Sequence, residues 1–340
     1  MSEQAGLFDY QERVAYLSSR KPTALDRLMA EVDFEYFRET LDSHLNFQDR
    51  KKGGRPPYDS VLMFKVILLQ KYYGLSEEET EFQILDRYSF QRFLGLDVGM
   101  NVPDKNTIWI FKERLGAKGI MAVFEQFNDV LKECGLLASK GKIVDASFVN
   151  VPRQRNSRNE NAEIKEGKTP ESFTKNPAKE RQKDVDARWT TKNKERHYGY
   201  KNHIKVNRKN KLIENFEVTD ASVHDSQKLK DLIDEKDGEL YADSAYRSRE
   251  IDEKLKELNI RNRIHEKGYR NRPLTEEQKQ NNRKKSKIRA RVEHVFGFQH
   301  NNMKSGWIRT IGFKRAELQI ALANLAYNLG RFQQLGYTMK

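Results

Sequence analysis

Asp145, Asp243 and Glu293 are the residues whose surroundings best fit chemistry. Asp145 lies inside the β-rich run Lys142–Val149, and Asp243 directly follows the short apolar segment Glu239–Ala242. Both positions set a short, rigid carboxylate at a sheet end, where ligand crevices open in α/β folds. Glu293 is different, because Arg289-Ala290-Arg291-Val292-Glu293-His294-Val295-Phe296 reads as mid-helix with Val292, Val295 and Phe296 packing on the core. An inward Glu there needs a cation. Three hard oxygen donors without histidine or thiol suit Mg2+ or Mn2+, which keep waters and bind phosphates. Two such ions roughly 3.5–4 Å apart activate an attacking water or 3′-hydroxyl and stabilise a departing 3′-oxygen, so the chemistry is phosphoryl transfer without a covalent nucleophile. Simpler roles exist for each residue: Asp243-Ser244 has the form of a turn or helix cap, and Glu293 has Arg289 one helical turn before it as an ion-pair partner. The joint occurrence of all three with strongly basic flanking segments favours the chemical reading.

The charge that surrounds these carboxylates is unevenly placed. The chain of 340 residues carries 63 Lys+Arg against 50 Asp+Glu, a formal net charge of +13. Val151–Lys211 holds 18 basic and 8 acidic residues, and Arg261–Arg291 holds 12 and 3, so the rest of the chain is net negative. Two such segments suit a groove that tracks phosphates, although charge runs also occur as solvated linkers. The excess argues against a strongly basic partner. A single cysteine, Cys134, excludes an intrachain disulfide framework and a CxxC zinc knuckle. His197 and His203 are six residues apart on one strand, roughly 20 Å, and cannot share a metal. No apolar run approaches the ~20 residues of a membrane span. The opening MSEQAGLFDYQERV lacks the order of a signal peptide, so a cytoplasmic protein is expected.

The elements that position the carboxylates fall into two parts. Residues 1–137 read as an all-helical module. Gly-Gly-Arg-Pro-Pro at 53–57 excludes helix and is followed by an apolar helix from about Tyr58; Ser76 and Glu79 form a capping box for a helix through about Arg87, and a companion follows Tyr88. Pro103-Asp104 opens a helix with Ile108, Ile110, Phe111 and Leu115, and Ile120–Leu131 supplies another. Such a module binds DNA or serves to dimerise. Residues 138–340 read as a mixed α/β sheet domain. The order is a strand at Lys142–Val149, a polar basic insertion at about 151–195, a hairpin of His197–Val206 and Lys211–Val218, a helix at Ser226–Ile233, a strand at Glu239–Ala242 and a helix at Ser248–Leu258. A basic segment at about 261–291 follows, with helices at Lys284–His300 and Phe313–Gln334, the latter striped by Leu318, Leu322, Leu325 and Leu329.

Nearly the whole chain resembles the DDE transposases of bacterial insertion sequences, specifically the insertion-sequence-five family. The resemblance is carried by GRPPYDSVLMFKVILLQKYYGLSEEETEFQILDRYSFQRFLGL, PDKNTIWIFKERL, IVDASFV, DARWTTKNKERHYGYKNHIKV, VTDASVHDSQ, LYADSAYRS and RARVEHVFG. It implies an RNase H-like fold and assigns Asp145, Asp243 and Glu293, 98 and 50 residues apart, to the catalytic and metal-binding positions. The family's signature around the Glu has a Tyr seven residues before it, an Arg four before it and a Lys seven after it. Here Ser286, Arg289 and His300 occupy those places, so only Arg289 matches, as a phosphate contact; Lys304 substitutes for the Lys if the helix continues. The implied partners are double-stranded DNA, both transposon ends and target, and a second copy of the chain in a homodimer or larger assembly. The implied setting is the bacterial cytoplasm, at the nucleoid when DNA is bound.

Further DNA-binding candidates come from the basic segments. Arg188 and Trp189 lie in the insertion, where Trp189 either stacks on an unpaired terminal base or anchors the insertion. Lys201 on its strand faces phosphate or is an ordinary exposed strand lysine. Asp225 after His224 reads as an N-cap rather than a metal ligand. The reading is a transposase that binds the terminal inverted repeats of its element, cuts the 3′ ends and joins them to target DNA with two Mg2+ or Mn2+ ions. A metal-dependent nuclease and a catalytically inactive DNA-binding regulator are the alternatives.

Overall fold

A computed structural model describes residues 21–45, 56–97, 100–138, 140–192, 194–269 and 271–339. The opening residues read for a leader and Gly53-Gly54-Arg55 lie outside these.

The first half is helical because caps start its helices and apolar faces bury them. Helix α1 (Ala24–Glu31) opens on a capping box between Thr23 and Asp26. A 3-10 turn at Phe34–Phe37 leads into α2 (Arg38–Leu45). Helix α3 (Ser60–Tyr72) begins two residues after Tyr58, since the Asp59 carboxylate caps it by accepting from the Leu62 amide. It is apolar nearly all round and is buried accordingly. Helix α4 (Glu77–Asp86) is N-capped by Ser76, which accepts from the Glu79 amide at 3.1 Å, and α5 (Tyr88–Leu94) follows directly. The two helices expected after Asp104 are both present, end to end in α6 (Lys105–Glu133) and separated by a kink at Gly116, whose φ of 61° and ψ of 178° are not helical.

The second half is built on a six-stranded sheet. The strands are β1 (Gly141–Asn150), β2 (Arg188–Lys192), β3 (Glu195–Asn207), β4 (Ile213–Asp220), β5 (Glu239–Tyr241) and β6 (Arg261–Asn262). Strand β3 runs antiparallel to β1, and β2 and β4 pair antiparallel with β3; β5 is parallel to β1 and β6 parallel to β5. The path β4-β3-β1-β5-β6, antiparallel on one side of β1 and parallel on the other, is the mixed sheet that the strand order in the sequence implies and the RNase H-like arrangement that the family resemblance implies.

Two sequence expectations need correction. The insertion after β1 contains α7 (Arg158–Lys165), which starts on a Ser157–Glu160 capping box, then the short helices α8 (Glu171–Thr174) and α9 (Pro177–Gln182), and it ends as β2. After α10 (Leu229–Leu232), α11 (Arg249–Glu257) and β6, the expected helix at Lys284–His300 is two helices. Helix α12 (Glu276–Arg289) starts at a Thr275–Gln278 capping box and breaks at Ala290, and α13 (Arg291–Asn301) follows. Helix α12 buries no residue, so no apolar periodicity marks its first turns.

Helix α14 (Phe313–Gln334) matches its expected limits and is buried on most of its surface. It packs on α6, α3 and α1 as well as on β4, so one apolar core runs through both halves of the chain. Buried amides fix its register: Asn324 exchanges hydrogen bonds with Asn202 at 2.8 and 3.1 Å, and Asn328 bonds both backbone groups of Ile213. Among the described residues no helix is long and apolar enough to cross a membrane.

Candidate active site

Strand register brings the two aspartates together. The parallel β1–β5 pairing sets Gly141 opposite Glu239, Lys142 opposite Leu240 and Ile143 opposite Tyr241. Asp145 and Asp243 each lie two residues past the last of these pairs, where β5 has just ended. Their charges interact: burial raises the Asp145 pKa, Asp243 raises it further, and the charge of Arg289, the Ala146 amide and Lys192 oppose the rise. Asp243 also caps the 3-10 turn Ser244–Tyr246 by accepting from the Ser244 amide, so the cap reading of its sequence and its place beside Asp145 both hold.

Arg289 ties Glu293 to this pair. It is the last residue of α12, and its Nη1 donates to Asp145 Oδ2 at 2.6 Å while Nη2 lies 3.4 Å from Glu293 Oε1. The expected inward Glu293 is a correction: Val292 and Val295 take the core-facing positions of α13, and the Glu293 side chain is 63% exposed. Arg289, expected on phosphate, here neutralises two carboxylates. Among the described residues no three His, Cys, Asp or Glu side chains stand close enough together to hold a metal ion.

Three neighbours of this cluster had not been singled out. Tyr246 is buried with its hydroxyl unpartnered, and its pKa is raised well above the usual value by burial and then by Asp145, Asp225 and Asp243. His265 extends β6 past its two paired residues, its amide donating to the Ala242 carbonyl at 3.1 Å. Burial and Arg289 lower its pKa. Lys192 ends β2, within reach of the Asp145 charge and 3.6 Å from Asp225. Tyr246 was legible as the tyrosine one short turn after Asp243. His265 was not, since a two-residue strand leaves no pattern.

The carboxylate oxygens of Asp145, Asp243 and Glu293 are of the donor type that a hard divalent cation takes, although as placed they do not converge, and the Tyr246 hydroxyl beside them is buried without a protein partner.

Other candidates sit differently from expectation. Lys201 is buried, donating to Asp225 Oδ1 at 2.8 Å and the Val223 carbonyl at 2.6 Å, so it faces no phosphate. That pairing also corrects Asp225; the N-cap of the following turn is the His224 side chain. The Arg188 guanidinium donates to the carbonyls of Val185, Ala187 and Ile164, stapling the insertion to itself. Trp189 is 44% exposed, with its ring against Tyr198 at 4.9 Å and Arg153 over it. His300 Nε2 lies 3.0 Å from Ser147 Oγ, beside the site strand. Helix α13 ends at Asn301, so Lys304 is not on it and lies across Gly74 instead. His203 is buried beside Thr219, its pKa pushed down to about 4 mainly by burial.

An RNase H-like sheet with acidic residues at the meeting of β1 and β5 defines the class. Residues 138–329 match the family described as Transposase DDE domain, and residues 13–114 match the family described as Transposase domain (DUF772). The chain belongs to the DDE transposases, a family that processes nucleic acid. It is also similar to the piggyBac transposase in a cryo-EM structure of its synaptic complex with hairpin DNA, at 11% identity and a TM-score of 0.42, covering 93% of this chain and 76% of that one.

Proposed function

We propose that this transposase binds the terminal inverted repeats of its element as double-stranded DNA, hydrolyses the 3′ ends and joins them to target DNA. Asp145, Asp243 and Glu293 are the carboxylates that would hold two Mg2+ or Mn2+ ions. The observation that carries the reading is the charge interaction of Asp145 with Asp243, each two residues past the last β1–β5 pair, with Arg289 linking Asp145 to Glu293. Divalent ions, when bound, supply Lewis-acid polarisation of phosphoryl oxygens and lower the pKa of the attacking hydroxyl.

The chain's own residues do the rest. Asp145 and Asp243 are fixed by the sheet, while Glu293, exposed and one turn past the α12–α13 break, is free to swing toward them. As it does, Arg289 exchanges its carboxylate partners for a phosphate. The unpartnered Tyr246 hydroxyl would donate to a group bound at the site, and Lys192 adds positive charge at its rim. Helix α12 exposes Lys279, Arg283, Lys284 and Lys287 and, with Trp189 and Arg153 of the insertion, forms the phosphate-tracking surface. Residues 1–137 recognise the ends or join two copies, since two ends must be held together.

The test is Asp145→Ala with DNA carrying the element's ends. The variant keeps end binding and loses Mg2+-dependent cleavage; cleavage at the unmodified rate would reject the assignment. Strand-transfer products from a pre-cut end separate a transposase from a nuclease that only hydrolyses.

A further inference from the structure

Lys112, Lys142 and Lys205 are buried cations that each have an acid beside them, Glu77, Glu214 and Asp237. A group of three cations behind α13 is built differently. Lys211, His294, Tyr327 and Arg331 line a cavity of about 120 Å3 between α13, α14 and the turn that joins β3 to β4. Burial lowers the Lys211 pKa, and the charges of Arg331 and Arg291 lower it further; no carboxylate among the described residues offsets them. Neutral groups hold the three in place. Arg331 Nε donates to the Asn210 carbonyl at 2.8 Å and its Nη1 to Gln334 Oε1 at 3.0 Å, while Arg291 Nη1 donates to the Arg208 carbonyl at 2.6 Å. Both carbonyls belong to the turn that carries Lys211. That lysine has a φ of 66°, uncommon for any residue with a side chain, and its own carbonyl accepts from the Tyr327 hydroxyl at 3.1 Å. Three elements thus fix like charges side by side, an arrangement whose repulsion an anion between them offsets.

We infer that Lys211, Arg291 and Arg331 form a second phosphate site, which takes one backbone phosphate of duplex DNA. The cavity is too small for a whole nucleotide, since sites for small organic ligands start at roughly 300 Å3, but it admits a single phosphate group. Arg291, His294 and Gln334 are exposed at its mouth, so a phosphate of an intact duplex reaches it. The surroundings favour a polyanion over a free ion. Arg208, next in the same turn, shares Glu239 with Arg261 and Arg263 at 3.1, 3.7 and 3.5 Å, so three arginines on one acid extend the positive surface toward β6. The position also suits DNA. Arg291 and His294, three residues apart, share one side of α13, while Glu293 lies on another side, toward Arg289. Only the thickness of one helix, about 10 Å, separates the cavity from that carboxylate. The inference rests on the DNA reading of the function but involves none of the carboxylates.

The test measures binding of a labelled blunt duplex of arbitrary sequence to the full chain as salt is raised, because each phosphate contact adds about 0.9 to the slope of log affinity against log salt. Lys211→Gly removes the charge and relieves the left-handed backbone together, so this variant melts no lower than wild type. Its slope, and that of Arg291→Gln, is expected to fall by about one, while Lys211→Arg keeps the wild-type slope. Lys256→Gln, an equal loss of charge on α11, also keeps it, since α11 packs with Val144 on the opposite face of the sheet from α13. Wild-type slopes in Lys211→Gly and Arg291→Gln overturn the proposal. An equal drop in Lys256→Gln does so too, because net charge alone would then explain the effect. Inorganic phosphate that raises the melting temperature of wild type but not of Lys211→Gly, with duplex slopes equal in both, overturns it in favour of a free-anion site. A wild type that binds no duplex at any salt removes the DNA reading itself and this inference with it, so the two failures are told apart.

Discussion

At Arg289 one guanidinium holds two acids 148 residues apart in the sequence, Asp145 and Glu293. Asp145 is mostly buried and Arg289 is its nearest cation, so removing the arginine leaves a desolvated carboxylate uncompensated. Arg289→Ala is expected to cost about 1–3 kcal/mol of stability near pH 8, as measured by urea unfolding. The sign with pH follows from Asp145, whose folded pKa is already raised by burial and rises further without Arg289. The folded state then binds the proton more tightly than the unfolded one, so the penalty shrinks as pH falls below the folded pKa. A penalty that grows toward acid would contradict this. The aspartates were legible because both end or interrupt short apolar β segments. Glu293 was only half legible: its apolar neighbours were read correctly as core, but they occupy the buried face and leave the glutamate outside. Lys201 misled for the opposite reason, since nothing local shows that Asp225 waits across the sheet to bury it.

Elements with an apolar stripe declared themselves, and those held by polar contacts did not. Helix α14, apolar along its length, has the limits its sequence implies. Helix α12 has no buried residue and is fastened instead by polar side chains: Asn282 bonds both backbone groups of Glu266, and Lys285 donates to the Ile264 carbonyl. Its start therefore carried only a capping signal. This fastening delivers Arg289 to Asp145, and Asn282→Ala is expected to speed amide exchange in α12 while leaving β1 protected. Unchanged exchange would mean that α12 is held by something else. In α6 the join between two helices depends on one glycine. Gly116 adopts a conformation essentially restricted to glycine, and nothing lies within 4 Å of the position a Cβ would take. Gly116→Ala therefore costs backbone strain alone, about 1–3 kcal/mol, read as a lower melting temperature. An unaltered melt would show that the helix straightens without loss.

Across the whole molecule, the α/β half and the helical half share a core through α14, a connection that amphipathic patterning assigns to neither side. The four strands read from the sequence were legible because they are β-rich and bounded by turn residues; β2, taken as part of the polar insertion, and β6, two residues long, were not. This architecture holds the two aspartates rigidly and leaves the glutamate on a separate helix, so the central claim is that all three meet at one metal site. The most direct measurement replaces Mg2+ with Fe2+ in the full chain bound to DNA ends and maps where locally generated hydroxyl radicals cut the polypeptide. Cuts clustered around Asp145, Asp243 and Glu293 together, lost in Asp145→Ala, are the predicted result. Cutting confined to one of the three segments, or placed elsewhere, would contradict the account.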